Sequence, residues 1–314
     1  MASSPIVIVS AVRTPIGRFN GAFSHTPATE LGAVAVKAAL AQANLEASAV
    51  EQVIFGMGRQ AGAKPNPARQ VQFGAGIPQQ ATAWTVNMAC ASGMKTIALA
   101  ADEIRLGRAK VVVAGGMENM TRVPFMLDRM REGYRLGDAP LIDGMYHDGF
   151  RCPLSGMIMG ETAELLAQER SISRAEQDAF AKESQDRANA AWQAARFDAE
   201  IVPVTVKTRK GETVMDRDEH IRVSTTMADL AKLPAVFAKE NGTVTPGNAS
   251  GITDGAAALI LMSAAEAERR GIEPLAEFLD YQQSGTDPKR MGMGPVPATH
   301  TLFERNRWSL DDFG

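Results

Sequence analysis

The sequence predicts an α/β protein in which a parallel β-sheet carries helices on its faces. Up to Asn119, short β-branched runs alternate with segments whose apolar residues recur at helical spacing. Aromatic residues make up only 6% of the chain, while glycine numbers 28 and alanine is abundant. This composition favours helices packed closely on sheets over a β-sandwich, and 314 residues are enough for two domains.

Each predicted strand is a short apolar run, and each predicted helix has an apolar stripe, such as Leu31, Val34 and Ala35 in the first helix. Ligands of parallel sheets lie at the carboxyl ends of the strands, and Cys90 and Glu118 both fall at such ends. In chain order the predicted elements are strands 6–9, 53–55, 84–89 and 111–114, and helices 31–40, 67–74 and 92–105.

After Asn119 this rhythm is interrupted by charged helices, of which the clearest, 174–196, begins with a capping box between Ser173 and Glu176. A strand at 201–206 and a polar stretch follow, and sheet character returns at 256–262, before a helix at 264–270. We therefore expect an α/β unit formed by 1–120 and 246–270, an inserted loop domain at 121–245, and the beginning of a further unit at 271–314.

Composition excludes several classes of function. The net charge of −3 and the pI of about 5.9 provide no general attraction for nucleic acid or an anionic membrane. Cys90 and Cys152 have neither metal-site spacing nor a disulfide framework, and no segment is apolar enough to span a bilayer. We expect a cytoplasmic protein without a metal site and without nucleic-acid or membrane partners.

Cys90 has two interpretations at this stage. Free cysteine is often a small buried hydrophobe, whereas a thiol at the start of a helix is close to unpaired N–H groups that favour its nucleophilic thiolate form. Small neighbours, Ala89, Ala91, Ser92 and Gly93, leave room for a substrate or for close backbone approach. The residues alone leave both interpretations open.

Two glycine-rich segments are less specific. Residues 56–61 match a loose dinucleotide fingerprint, but Gly62 and two prolines interrupt the helix that should begin there, so we expect no Rossmann site. The small residues of 247–255 indicate either a tight loop before a strand or a backbone surface in contact with a ligand.

Four motifs in order resemble the thiolase family, of the acetyl-CoA acetyltransferase type. They are Ala11-Val12-Arg13-Thr14-Pro15-Ile16-Gly17, Asn87-Met88-Ala89-Cys90-Ala91-Ser92-Gly93, Gly115-Gly116-Met117-Glu118-Asn119-Met120 and Gly247-Asn248-Ala249-Ser250-Gly251. The resemblance implies a layered α-β-α-β-α fold of two similar halves, with a loop domain inserted in the first, and a homodimer or homotetramer. It also implies reversible condensation of two acetyl-CoA, or thiolysis of a 3-ketoacyl-CoA, with coenzyme A thioesters as substrates and no prosthetic group.

The resemblance assigns the nucleophile to Cys90, whose backbone N–H would help to hold the oxyanion. It places Ser250 beside the pantetheine arm, Arg222 near the nucleotide end of coenzyme A, and Met159 in the pocket. Phe150 and Phe237 would line the pantetheine channel, although plain packing explains both nearly as well. Without the resemblance, Arg222 would be interpreted as a solvated surface charge.

The resemblance also implies that the second half is incomplete. The family's Gly-His-Pro and Cys-x-Gly segments, which supply the activating histidine and the acid/base cysteine, do not occur in these residues. Cys152 and the four histidines lie in unrelated contexts. We therefore expect a C-terminally truncated chain with impaired activity; the alternative is a non-catalytic protein that binds acyl-CoA or a partner.

Overall fold

The computed structural model describes residues 4–208 and 211–313, which divide into two units. Unit 1 comprises 4–145, 195–208, 211–220 and 252–279, and unit 2 comprises 146–194, 221–251 and 280–313. Unit 1 thus includes parts of the segment 121–245 that the sequence predicts as an insertion. The predicted domain boundaries stay a prediction.

The strands and helices largely follow the predicted order, with ends that differ by a few residues. The strands are β1 (Ile6–Arg13), β2 (Gly17–Arg18), β3 (Gln52–Gly56), β4 (Thr82–Val86), β5 (Val111–Asn119), β6 (Phe125–Met126), β7 (Ile142–Asp143), β8 (Val204–Thr208), β9 (Gly211–Met215), β10 (Thr253–Ser263) and β11 (Ala276–Phe278). The helices are α1 (Ala28–Gln42), α2 (Pro67–Gly74), α3 (Ser92–Arg105), α4 (Met159–Glu169), α5 (Arg174–Gln193), α6 (Met227–Ala231), α7 (Ala264–Arg270) and α8 (Pro295–Asn306).

Unit 1 is built on a seven-stranded sheet in the order β11-β1-β10-β5-β3-β4, with β2 paired to β10. The strands β3, β4 and β5 are parallel, and β1 has the same direction because β10 is antiparallel to both β1 and β5. The predicted parallel arrangement holds for β3, β4 and β5, whereas β10 and β11, for which the sequence predicts no direction, are antiparallel to their neighbours. Their apolar runs indicate burial but carry no information on strand direction.

The two faces of this sheet are covered by different helices. In β5, Val111 and Val113 belong to the apolar cluster that includes Leu31 of α1, whereas Val112 belongs to the cluster that includes Ile104 of α3. Because successive side chains of a strand point to opposite faces, α1 and α3 lie on opposite sides of the sheet. The result is a helix–sheet–helix arrangement within unit 1.

Unit 2 contains α4, α5, α6 and α8. The predicted capping box at α5 is confirmed: the Ser173 hydroxyl accepts from the Glu176 backbone N–H, and the Glu176 carboxylate accepts from the Ser173 N–H. The helix ends at Gln193, three residues before the predicted end.

Within residues 4–208 and 211–313, no helix is both long and apolar enough to cross a bilayer. In the same described part of the chain, no three His, Cys, Asp or Glu side chains lie in a group able to hold a metal ion.

Candidate active site

Cys90 lies in the turn between β4, which ends at Val86, and α3, which begins at Ser92. It is a free cysteine and its side chain is exposed. The interpretation of Cys90 as a buried residue is therefore wrong, and its role as the nucleophile stays a prediction. The positive end of the α3 dipole lies two residues beyond the thiol, an environment that favours negative charge.

The buried Ser92 side chain fixes the shape of this turn. Its Oγ accepts from the Met88 backbone N–H at 2.9 Å and donates to the Ala89 carbonyl at 2.6 Å. The Ala91 N–H donates to the Met88 carbonyl at 3.1 Å. These bonds close the backbone around Cys90 on both sides.

Ala89 has a left-handed backbone with φ of 47°. An L-residue with a Cβ atom pays about 1–2 kcal/mol in this region, so the conformation needs support from its surroundings. The Asn87 side-chain oxygen accepts from the Ala89 N–H at 3.0 Å and supplies part of that support. This kink directly precedes Cys90 and sets the direction in which the chain enters it.

Glycines allow α3 to start directly against the sheet. A Cβ on Gly56 would lie 2.4 Å from the Ser92 carbonyl carbon, and one on Gly116 would lie 3.1 Å from the Gly93 Cα. The backbone of Ser92 and Gly93 thus lies close to the ends of β3 and β5, which agrees with close backbone approach, one of the two roles predicted for the small residues near Cys90. Packing against the start of α3 therefore explains the glycine at position 56 without a dinucleotide-binding fingerprint.

Glu118, at the end of β5, holds the loop that follows β3. Its Oε2 accepts from the Gly58 and Arg59 backbone N–H groups at 2.9 and 3.0 Å. Burial raises the pKa of this carboxyl and the nearby Asp254 adds to the rise, while the two N–H donors oppose it. The Gly58 carbonyl in turn accepts from the Asn87 side-chain amide at 3.2 Å, which joins Glu118 to the turn of Cys90.

The end of β10 beside Glu118 is also fixed by polar contacts. Asp254, directly opposite Asn119, accepts from the Thr121 N–H at 3.1 Å and from its hydroxyl at 2.6 Å. Burial raises the pKa of Asp254. The Asn119 amide donates to the Phe23 and Thr26 carbonyls at 2.9 and 2.8 Å. Polar contacts thus hold the adjoining ends of β5 and β10 in place.

Three predicted pocket residues lie in unit 2, two of them in its first segment and Phe237 in its second. Phe150 ends a π-helical turn and packs edge-on against Tyr146, with ring centroids 5.6 Å apart. Met159 is the first residue of α4, and the Phe237 ring packs on the next residue, Gly160, where a Cβ would lie 2.2 Å from the ring. Met159 and Phe237 are therefore close, both half-buried.

Arg222 and Ser250 are exposed residues of unit 2. The Arg222 backbone N–H donates to the Gln185 side chain at 2.7 Å. Two residues before Ser250, the Asn248 amide donates to Asp178 of α5 at 2.9 Å. The segment 247–250 is thus a tight loop anchored to a helix.

Unit 2 also has an open cavity of about 710 Å³ between α4 and the segment 237–243. Of the predicted site residues, Phe237 lines it, together with Met157, Glu161 and Glu164.

Comparison with known proteins decides the family. Residues 6–265 match the thiolase N-terminal domain. The chain belongs to the thiolase family. The acetyl-CoA acetyltransferase of Rhizobium meliloti is 50% identical, over 99% of this chain and 79% of that protein. The cytosolic acetyl-CoA acetyltransferase of Mus musculus is 46% identical, over 99% of this chain and 78% of that protein.

Comparison with a solved structure supports the same family. The crystal structure of the Bacillus anthracis acetyl-CoA acetyltransferase matches with a TM-score of 0.96 and 41% identity, over 99% of this chain and 78% of that one. The predicted thiolase-like α/β fold is thereby confirmed, and this thiolase is an enzyme by family.

The predicted site residues of this thiolase fall into two sets. Cys90 lies in unit 1, and the five predicted coenzyme A contacts lie in unit 2: Phe150, Met159, Arg222, Phe237 and Ser250. Sequence reasoning placed Glu118 at a strand end where ligands lie and Asn87 in the motif of Cys90, but it assigned neither of them a role in supporting the Cys90 turn.

Proposed function

We propose that this chain is an acetyl-CoA acetyltransferase in which Cys90 carries the acetyl group. One observation carries the proposal: an exposed thiol on a hydrogen-bonded turn ahead of α3, in a chain that shares 50% identity with a relative of that name. A thiol in such a place has the access that a nucleophile needs.

In the first half-reaction the Cys90 sulfur attacks the carbonyl carbon of acetyl-CoA. A carbon–sulfur bond to Cys90 forms, the bond to the coenzyme A sulfur breaks, and coenzyme A leaves with the proton that the thiol gives up. One thioester replaces another, so the step is nearly balanced in free energy. The Cys90 backbone N–H stabilises the oxyanion that develops during the attack.

In the second half-reaction the acetyl group passes to the α-carbon of a second acetyl-CoA, after that carbon loses a proton, and acetoacetyl-CoA forms. The reverse direction is thiolysis by coenzyme A. We propose that turnover is slow in these 314 residues and that this second half is the slower one, since the family's acid/base cysteine segment is not in the sequence. The segment with the histidine that activates the nucleophile is not in the sequence either, so the first half is also slower than in the family. Removal of one such group typically costs about 10²- to 10⁴-fold in rate.

We further propose that Arg222, Ser250, Met159, Phe150 and Phe237 contact coenzyme A. Their support is the family membership and the position of all five in unit 2. We also propose that the chain forms a homodimer or homotetramer. We propose a cytoplasmic location as well, because the name of the similar mouse protein describes it as cytosolic. Sedimentation analysis and cell fractionation test these two points.

The test of the activity follows the two half-reactions separately. The chain is mixed with acetyl-CoA, and intact-mass and peptide mass spectrometry measure acetylation of Cys90. Coenzyme A or further acetyl-CoA is then added, and loss of the acetyl group and formation of acetoacetyl-CoA are measured. We expect acetylation of Cys90 with slow release.

Cys152→Ser is the matched control, because it removes the other free thiol of the chain. Acetylation should persist in Cys152→Ser and disappear in Cys90→Ser. Acetylation at Cys152 instead, or binding of acetyl-CoA with no covalent product, would overturn the proposed function. Rapid release and full turnover would overturn only the proposal of a slow second half.

A further inference from the structure

We propose that Glu118 and Asn87 are positioning residues that aim the Cys90 thiol, acting through a continuous hydrogen-bonded path that ends at Ala89. The proposal rests on the proposed function for its kinetic consequence. Its structural consequence, the order of the Cys90 turn, is independent of that function.

The path begins at a rigid point. Glu118 belongs to β5, which is paired with β3 on one side and with β10 on the other. Its Oε2 accepts from two successive backbone N–H groups, those of Gly58 and Arg59. A single carboxylate oxygen therefore fixes the loop after β3, since movement of either N–H group would break a charge-assisted bond.

The second step leads from this loop to the turn. The Asn87 side chain donates from Nδ2 to the Gly58 carbonyl and accepts at Oδ1 from the Ala89 N–H. Its amide plane is thus held at both ends, and an Asn is the shortest side chain that can donate and accept in this way. The position of Gly58, which Glu118 sets, determines where the Ala89 N–H is held.

The third step is the effect on Cys90. Ala89 has φ of 47°, which is unfavourable for a residue with a Cβ, and without a bond to its N–H the right-handed region is preferred. Rotation of this φ would redirect the Cys90 sulfur while the residue stays exposed. The path therefore controls the direction of the thiol and leaves its access to solvent unchanged.

The experiment compares Glu118→Ala, Asn87→Ala and the double variant in the full chain. Glu51→Ala is the matched control, because Glu51 also accepts a backbone N–H, that of Lys110, but is exposed and precedes β3 at the opposite end of that strand. We measure the rate of Cys90 acetylation by acetyl-CoA, the rate of Cys90 alkylation by iodoacetamide, and amide hydrogen exchange across residues 87–92.

Acetylation needs a directed thiol, and a misplacement of about 1 Å can cost up to about 100-fold, so we expect losses of about 10- to 100-fold in both single variants. Alkylation by a small reagent needs only an exposed thiolate, and we expect it to stay within about threefold of wild type. A purely structural loss would instead change both rates together. Glu118→Gln keeps one oxygen that can accept from both N–H groups and should recover most of the acetylation rate.

The double variant should be no slower than the slower single variant, because both substitutions interrupt one path. Hydrogen exchange at 87–92 should accelerate in both single variants and stay unchanged in Glu51→Ala. Wild-type acetylation rates in Glu118→Ala, or multiplied losses in the double variant, would overturn the proposal.

The two proposals fail in different ways. If the wild-type chain is not acetylated, the proposed function is wrong. Hydrogen exchange at 87–92 then tests the positioning path independently of that function. Unchanged exchange at 87–92 in both Glu118→Ala and Asn87→Ala would overturn the path in that case.

Discussion

Gly56 and Ser92 lie so close that a side chain on Gly56 has no space. A Cβ there would lie 2.4 Å from the Ser92 carbonyl carbon and 2.5 Å from the Gly93 nitrogen. Both obstacles are backbone atoms, so they cannot move aside as a flexible side chain would. The start of α3, and with it Cys90, is placed directly on the end of β3.

Gly56→Ala should therefore displace α3. We expect a loss of about 1–3 kcal/mol in the free energy of unfolding, as for other overpacked sites, and slower acetylation of Cys90. Urea denaturation and the acetylation assay measure the two effects. Gly285→Ala is the control, since a Cβ there meets no atom within 4 Å; equal effects of the two substitutions would contradict the packing argument.

The carboxylate of Glu266 makes stability depend on pH. Hydrogen bonds from Arg269, with further bonds and charge from Arg270, lower the pKa of Glu266 to about 2. A lowered folded pKa stabilises the protein above the unfolded value, and this contribution is lost as pH falls from about 4.5 towards about 2. Glu266→Gln should therefore lower the free energy of unfolding by about 1–2 kcal/mol at pH 7. This figure allows for the exposure of Arg269, whose bond to Glu266 is weakened by solvent.

Urea denaturation at several pH values measures this effect, and the difference between Glu266→Gln and wild type should shrink below pH about 4.5. Glu268→Gln is the control on the same helix, because Glu268 is exposed. We expect it to change the free energy of unfolding by less than about 0.5 kcal/mol. A Glu266→Gln effect that stays constant with pH would rule out the ionic cause.

Arg222→Ala tests the proposed contact with the nucleotide end of coenzyme A. The side chain is exposed, so its loss should leave the fold intact and raise the KM for acetyl-CoA about three- to tenfold, equivalent to about 1 kcal/mol, with kcat nearly unchanged. Steady-state kinetics, or acetylation rates as a function of acetyl-CoA concentration, measure the change. Arg135→Ala removes another exposed arginine, and an equal rise in KM there would show only a general charge effect.

Asp178→Ala should loosen the loop that carries Ser250. Asp178 is buried and joins Arg174 of its own helix, at 2.8 Å, to Asn248, at 2.9 Å. Removal leaves the Arg174 Nε without its acceptor and takes one of two acceptors from the Asn248 amide, and such a loss typically costs about 1–3 kcal/mol. We expect faster proteolysis at 245–251 and a higher KM for acetyl-CoA, whereas Asp186→Ala, an exposed carboxylate on the same helix, should change neither.

The sequence predicts the elements around Cys90 well because they depend on local signals. The start of α3 at Ser92 and its end at Arg105 agree with the prediction, and so do both ends of α2 and α7. The prediction for β5 ends too early, at Ala114, because glycine is a poor strand former; in the sheet Gly115 and Gly116 stay paired with β3 and β10.

Strand direction and the support of the turn depend on tertiary contacts. Nothing in the residues of β10 shows that it is antiparallel to both neighbours, and nothing near Ala89 shows a positive φ, which is uncommon for alanine. Asn87 lies inside the predicted motif, but its partner Gly58 is distant in sequence. The path from Glu118 to Cys90 becomes visible only when three strand ends are brought together.

The central position of β10 has a consequence for biosynthesis. The chain leaves the sheet at Asn119 and returns at Thr253, and only then are β1 and β5 joined through a common neighbour. At a translation rate of roughly 5–20 residues per second, synthesis of the residues between Asn119 and Thr253 takes on the order of ten seconds, during which one edge of β5 has no partner strand. Such long-range pairing is intrinsically slow and leaves apolar strands exposed until it forms, so the sheet can be completed only after residues up to 263 are available.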